Sequence, residues 1–220
     1  MIGNEIDLLR NYPRTSRDVS KRLETKSPEH RKIAQQFGKE FFDGSRDTGY
    51  GGFYYNERFW QPVIPDFKSR FNLTSDSSLL DVGCAKGFML VDLKKNFPGI
   101  KLRGIDISEY AICNAHPDVA DIVSVGHCDD LQFDDNSFDV VVAITTIHNL
   151  DYNGCLRSLR EIERVSKQHS FITVDAYRND EERRRMEAWN LTAKTILHVD
   201  DWKEMFDKAG YTGDYFWFIP

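Results

Sequence analysis

The sequence predicts an α/β fold, a mostly parallel sheet covered by helices on both faces. Three observations carry that expectation. From residue 79 onward, short apolar runs alternate with helical patterns, the order of successive βαβ units. Phe138–Ile144 is almost uninterruptedly apolar, as a strand buried on both faces must be. Glycine and proline fall between the runs, at Pro98-Gly99, Pro117 and Gly210, where turns are needed. A chain of 220 residues, 40% of them hydrophobic, fits one large domain or one domain with a short cap. The pattern divides it into a cap segment, residues 1–78, and an alternating region, residues 79–220.

In the cap, Ser27-Pro28 reads as an N-cap followed by proline at the first helical position. Ile33, Phe37 and Phe41 then recur at the spacing of one helix face, and Gly44 ends the helix. Thr48-Gly49-Tyr50-Gly51-Gly52-Phe53-Tyr54-Tyr55 sets three glycines among aromatics and predicts a shaped loop. Pro62 and Pro65 interrupt the next apolar stretch, so a helix there starts late or is kinked. The alternating region reads as a strand at 79–82 and a helix at 88–97 stopped by Pro98-Gly99. A strand at 102–105 is followed by a short helix capped by Ser108 and ending before Pro117. Next come strands at 122–125 and Phe138–Ile144, a helix at 156–165 and a strand at 171–174. A helix at 201–209 stopped by Gly210 and a strand at 215–219 close the chain. In such sheets ligands sit beyond the carboxyl ends of the strands.

Composition narrows the function. A net charge of −6 lacks the basic footprint of a nucleic-acid binder. Of two basic runs, Arg31-Lys32 and Arg183-Arg184-Arg185, the second follows Asp180-Glu181-Glu182 and reads as a solvated helix face. No stretch approaches the roughly 20 apolar residues of a membrane span, and no signal peptide is read at the N-terminus. Cys84, Cys113, Cys128 and Cys155 form no CxxC pair and no zinc spacing, so no metal is expected, and free thiols suit the cytoplasm.

Two motifs carry a nucleoside site. Leu80-Asp81-Val82-Gly83-Cys84-Ala85-Lys86-Gly87 runs an apolar strand into a glycine turn before a helix. Gly83 allows the tight turn and Gly87 lets the helix start close to a ligand. Asp81 is placed to receive a cationic amino group, although an ordinary βα turn has the same look. Asp106, in Gly104-Ile105-Asp106-Ile107-Ser108, follows a strand about 20 residues after that turn, where an acid accepts hydrogen bonds from ribose hydroxyls. Its alternative role is the N-cap of the next helix, for which Ser108 competes. These two motifs do not separate S-adenosylmethionine from NAD.

A third does more. Gly126-His127-Cys128-Asp129-Asp130-Leu131-Gln132-Phe133-Asp134-Asp135-Asn136-Ser137-Phe138-Asp139-Val140-Val141 resembles the segment GDAxxLPFxDxSFDxV of class I S-adenosylmethionine-dependent methyltransferases, in their methyltransferase-11/25-like group. Thr145-Thr146-Ile147-His148-Asn149-Leu150 is similar to the family's LHHL strand ending, and the helix around Arg160-Glu161-Ile162-Glu163-Arg164-Val165 to its LxExxRVLKPGG. Ser166-Lys167-Gln168-His169-Ser170 replaces the usual Gly-Gly turn, and Ala209-Gly210-Tyr211 resembles the late AGF. The stretch from Gly49 to Trp60 is similar to bacterial methyltransferases of uncharacterised substrate.

The resemblance implies a Rossmann-like three-layer sandwich and S-adenosyl-L-methionine as cofactor. It implies that Asp81, Gly83, Cys84 and Gly87 surround the methionine part, Asp106 holds the ribose and Ile107 packs on the adenine. The Cys128 N–H would meet the adenine ring. His127 stands where an acid usually contacts the adenine amino group, so either Asp129 substitutes or that contact is lost. Thr145 would sit near the methionine backbone. Tyr50 would cover the site, and Arg58 would pair with the cofactor carboxylate or a substrate anion; cap packing alone is the alternative for both.

The family's sheet has seven strands, the last two an antiparallel hairpin. One strand but no hairpin fits after Gly210, so six strands are expected, the seventh missing. Tyr215-Phe216-Trp217-Phe218-Ile219 is too apolar for a bare edge, which predicts shielding by the N-terminal segment or by a second subunit in a homodimer.

Methyl transfer is an in-line displacement at a sulfonium methyl, in which much of the catalysis is positioning and desolvation. A base is needed only if the acceptor must lose a proton. His148 is the first candidate, with a structural histidine as its alternative, and Asp175 and Tyr177 follow. The acidic charge and aromatic cap favour a small polar metabolite, such as a sugar or nucleotide-sugar, over nucleic acid or membrane. A non-catalytic cofactor-binding subunit and an NAD-dependent oxidoreductase are the competing classes; the latter would prefer a full GxGxxG turn.

Overall fold

The computed structural model describes residues 2–13 and 27–220. Its helices are α1 (Pro28–Ala34), α2 (Lys39–Phe42), α3 (Glu57–Trp60), α4 (Ile64–Phe71), α5 (Phe88–Asn96), α6 (Glu109–Cys113), α7 (Tyr152–Val165), α8 (Asp180–Trp189) and α9 (Val199–Ala209). The strands are β1 (Ser78–Val82), β2 (Lys101–Asp106), β3 (Val123–Val125), β4 (Phe138–Ile144), β5 (Ser166–Tyr177), β6 (Leu197–His198) and β7 (Asp214–Phe218). They form one sheet in the order β3-β2-β1-β4-β5-β6, with β7 also paired to β5. Every strand pair is parallel, so the carboxyl ends of β1, β2, β3 and β4 open on one rim.

Alternation along each strand sends neighbouring residues to opposite faces. Leu80, Val141 and Ile172 join α7 and α9 in one apolar cluster with Leu159, Trp202 and Phe206. Leu79, Val140, Val142 and Phe171 meet Phe67 of α4 and Leu90 of α5 in the other. The three-layer sandwich is therefore as the alternation predicts.

Three expectations need correction. The sheet has seven strands, not six: the two-residue β6 pairs with Ala176 and Tyr177 at the far end of β5, and a pairing that short leaves no periodic signal. The space after Gly210 does hold one strand, and β7 runs parallel to β5. The helix expected from Pro28 to Gly44 is two helices, because Phe37 takes a left-handed φ of 49° and Gly38 caps α2. Strand β5 begins at Ser166, five residues early, because the polar run 166–170 pairs with β4 through an irregular register. The shielding of the last strand comes from the chain itself. Ile6 N–H donates to Tyr215 O at 2.9 Å and Tyr215 N–H to Asn4 O at 3.0 Å, a parallel extension of the sheet.

Candidate functional site

The rim beyond β1, β2 and β4 holds most of the residues the motifs single out. Beyond β1 the chain turns through Gly83 and Gly87, with φ of 84° and 78°. A Cβ on Gly83 would lie 2.2 Å from Thr146 Oγ1 in the loop after β4, so only glycine lets the two loops meet. The Gly83 and Cys84 N–H groups both donate to Ile105 O, at 2.8 and 2.9 Å. Ala85 and Thr145, neither a glycine, also take left-handed backbone, with φ of 51° and 52°. Strain of that kind costs about 1–3 kcal/mol and gathers at functional sites.

Two buried carboxylates face this rim. Asp106 fixes both flanking loops, its Oδ2 accepting the Ala85 N–H at 2.8 Å and its Oδ1 the Ser108 N–H at 2.9 Å. Its open rivalry with Ser108 for the cap is settled, since Ser108 Oγ accepts the Ala111 N–H of α6 at 3.0 Å. Burial raises the Asp106 carboxyl against these two hydrogen bonds. Burial, and then the charge of Asp106, push the Asp81 carboxyl up to about 8. A ligand carrying positive charge would relieve both. Ile107, beside Asp106, is 50% exposed although apolar, a face suited to a flat base.

Beyond β3, Cys128 is buried and receives the Ser158 hydroxyl at 3.4 Å. Asp129 is engaged on both oxygens. Arg157 donates to Oδ2 from Nε at 3.0 Å and Nη2 at 2.6 Å, and His127 Nδ1 meets Oδ1. Burial opposes ionisation of Asp129, but the Arg157 hydrogen bond and the His127 charge outweigh it and hold the carboxyl below its ordinary range.

The expected catalytic residues lie beyond β4 and β5. His148 is 3% exposed, and its Nδ1 accepts the Asp175 N–H at 2.9 Å. An amide always donates, so the neutral ring carries its proton on Nε2 and presents a donor there. Burial lowers its pKa further, against the raising charge of Asp175. Of the two roles expected of His148, this geometry favours the structural one, since the Nδ1 lone pair holds the backbone of β5. Asp175, also buried, accepts the Trp202 indole N–H on its backbone carbonyl at 3.0 Å. Tyr177 packs its ring on His198 and lies beneath the Arg183 guanidinium. Thr145 is exposed, its N–H donating to Thr173 O at 3.1 Å.

Residues of the cap reach the same rim. Tyr50 stacks on Phe41 and packs on Phe42 and Phe53. Arg58 is exposed with its guanidinium 4.7 Å from the Phe59 ring; among the described residues no ion pair joins it to the strand ends. Sequence reasoning gave Lys86 no role, because one lysine in a turn carries no periodicity or spacing. Its ammonium is buried, donating to Asp43 Oδ1 at 2.6 Å and to Phe53 O. Asp43 Oδ2 accepts the Tyr110 hydroxyl at 3.0 Å, and Ser108 Oγ donates to Phe37 O at 2.5 Å. The cap is therefore fastened to the two loops that follow β1 and β2, just beyond Asp81 and Asp106.

Residues 80–174 match the family model described as a methyltransferase domain. No curated protein matches the chain. Among solved structures, the chain is similar to one in the complex between the Haloferax volcanii Trm112 methyltransferase activator and a methyltransferase, with 25% identity and a TM-score of 0.55 over 67% of this chain and 66% of that one. It also shares its fold with YcgJ of Bacillus subtilis (17% identity, TM-score 0.53, 66% of each chain). The [4+2]-cyclase SpnF shares it too (22% identity, TM-score 0.54, 69% of this chain and 58% of that one). The chain thus spans two thirds or less of the length of these proteins.

Proposed function

We propose that the chain, whose residues 80–174 match a methyltransferase domain, is a class I S-adenosylmethionine-dependent methyltransferase that moves the methyl group of S-adenosyl-L-methionine to a small polar metabolite, with a sugar or nucleotide-sugar hydroxyl or amine as acceptor. The observation that carries this reading is the pair of buried carboxylates, Asp81 and Asp106, at the carboxyl ends of adjacent parallel strands. They suit a cation attached to a nucleoside. Asp81 faces the amino group of the methionine part, with Gly83, Cys84, Gly87 and Thr145 around it. Asp106 accepts the ribose hydroxyls, and Ile107 and the Cys128 N–H hold the adenine. When bound, the cofactor supplies an activated sulfonium methyl, so the chain's own work is to orient the acceptor and exclude water.

Asp175 and Tyr177 are the groups proposed to hold the acceptor; His148 adds an Nε2 donor beside them. Tyr50 covers the site, and Arg58 attracts an anionic substrate. In this reading residues 1–78 act as a cap and residues 79–220 as the catalytic domain. Four free thiols support a cytoplasmic setting, and no helix among the described residues is long and apolar enough to cross a membrane. A homodimer is not needed to cover β7, whose edge residues 4–6 already meet.

A second reading, cofactor binding without methyl transfer, draws on the His148 geometry, which ties up the Nδ1 lone pair of that histidine. Calorimetry with S-adenosylmethionine and with NAD tests the site. S-adenosylmethionine is expected to bind and to raise Tm by mass action, while NAD does not. Asp106→Asn, which keeps one carbonyl acceptor for the loops, should weaken that binding by about 1–3 kcal/mol. Unchanged affinity in the variant would remove the ribose assignment. Methyl release onto a panel of sugars and nucleotide-sugars separates the two readings.

A further inference from the structure

We propose that the polar cavity at the amino end of the sheet, between the start of β5 and the turn into β7, is a binding site for a small tetrahedral oxyanion, a free phosphate or a phosphate ester. All strands are parallel, so this cavity lies at the opposite end of the sheet from the rim, and the inference does not rest on the cofactor reading above.

Position and size come first. The cavity has a volume of about 150 Å³ and is lined by Arg70 near the end of α4, Glu163 of α7, residues 166–170 of β5 and residues 212–214. Pockets for drug-sized ligands hold roughly 300–1,000 Å³, so this one suits a group of a few heavy atoms. Its walls are fixed by hydrogen bonds. The Tyr211 hydroxyl donates to Asp214 O at 2.9 Å, and Ser166 Oγ donates to His169 O at 2.9 Å. A Cβ on Gly213 would lie 1.9 Å from Ser170 Oγ and 2.4 Å from the Tyr211 hydroxyl, both on buried residues, so glycine alone lets the turn come this close to β5.

The balance of donors and acceptors then selects the ligand. Both carboxylates of the cavity are engaged on both oxygens. Glu163 Oε2 accepts the Thr212 N–H at 2.9 Å and Oε1 the Thr212 hydroxyl at 2.7 Å. Asp214 Oδ1 accepts the Asn4 N–H at 3.1 Å, and Oδ2 accepts Arg70 Nε at 2.6 Å. The donors are not used up. Among the described residues, no hydrogen bond engages Arg70 Nη1 or Nη2 or a ring nitrogen of His169, and Lys167 Nζ makes only a long contact of 3.5 Å with Asp139. A guanidinium edge, an ammonium and an imidazole are what the cavity has to offer, and an oxyanion uses all three. A cation would find the carboxylate oxygens taken and the free groups repelling it. Arg70 and Lys167 balance Glu163 and Asp214 in charge, so an added anion favours a proton on His169. In the empty cavity burial and the Arg70 charge lower the His169 pKa, against the raising charge of Asp214. Binding should reverse that, take up a proton, and tighten as pH falls from about 8 toward 5.

The test is calorimetry with sulfate at constant ionic strength, because sulfate keeps its charge over this pH range. Saturation is the criterion, since sulfate and phosphate also stabilise folded chains by exclusion from their surface. The unmodified chain should bind one sulfate with a Kd of about 1 mM or tighter, and two buffers of different ionisation heat should show proton uptake. Arg70→Lys keeps a cation for Asp214 but loses the free guanidinium edge, and should weaken sulfate about tenfold. Lys167→Gln alters an exposed side chain only, and should weaken it about threefold. His169→Gln should abolish the proton uptake. Inorganic phosphate and methyl phosphate, titrated in the same way, distinguish a free ion from an ester by which of them binds tighter. Absence of saturable sulfate binding overturns the inference, as does an affinity unchanged in both Arg70→Lys and Lys167→Gln, or full proton uptake in His169→Gln.

Discussion

At the scale of single residues, Asp81 turns the electrostatics of the rim into a measurable quantity. Its carboxyl lies at about 8 instead of the ordinary 3.8, because burial and the charge of Asp106 both oppose ionisation. Near neutral pH it therefore keeps a proton in the folded chain. That proton favours the folded state at low pH, and the advantage is lost as pH rises from about 4 toward 8. A cationic ligand favours the carboxylate, so binding S-adenosylmethionine should expel the proton. Affinity should then rise with pH up to about 8 and level off above it. Calorimetry in two buffers of different ionisation heat reads the released proton directly, and Asp81→Asn should abolish the release. Proton uptake, or none, would place the cationic group elsewhere.

Gly83 and Gly87 were legible in the sequence as turn glycines because a positive φ restricts what can stand there, and Asp81 and Asp106 as acids near the ends of apolar strands. His148 was legible only as a position. Its role depends on the Asp175 N–H, which a different strand delivers, and no spacing within one segment encodes that.

At the scale of elements, strands and helices with a continuous apolar period were readable from their own residues, and those whose partners define them were not. Phe138–Ile144 was read to the residue, whereas the start of β5 was missed because Ser166-Lys167-Gln168-His169-Ser170 has no alternation of its own. The break between α1 and α2 was hidden in the same way. Phe37 fits the helical spacing, yet its carbonyl turns out to accept Ser108 Oγ. That contact is part of the cap's fastening on the loops after β1 and β2, through which a ligand held by those loops would reach the cap. Residues 50–58 should therefore gain hydrogen-exchange protection when S-adenosylmethionine is added. Lys86→Met, which leaves Asp43 without its buried ammonium, should lower cofactor affinity by about 1–3 kcal/mol and remove that gain. Equal protection with and without cofactor would reduce the cap to packing alone.

At the scale of the whole molecule, the sheet is completed by residues far apart in sequence. The apolar composition of β7 announced that its edge had to be covered, but composition does not say by what. The cover is a short N-terminal segment with no strand pattern. Asn4 and Ile6 bracket Tyr215 by backbone hydrogen bonds, the Asn4 N–H donates to Asp214 Oδ1 at 3.1 Å, and Arg70 reaches the other oxygen of Asp214 at 2.6 Å. Leu8, two residues on, is buried in the cluster that holds α4 and α5. One segment thus closes an edge and contributes to the core on the far side of the sheet. Leu8→Ala removes only the second contribution and should cost about 2–5 kcal/mol, with the association state unchanged. Ile6→Pro removes the donor to Tyr215 O and leaves Leu8 in place, so its loss of Tm should be smaller. It also reopens the outer row of β7, whose Trp217 and Tyr215 lie on a strand able to template another copy. Light scattering should then report concentration-dependent association in Ile6→Pro and none in Leu8→Ala. Association of the unmodified chain to the same extent would show that residues 4–6 do not protect the edge in solution.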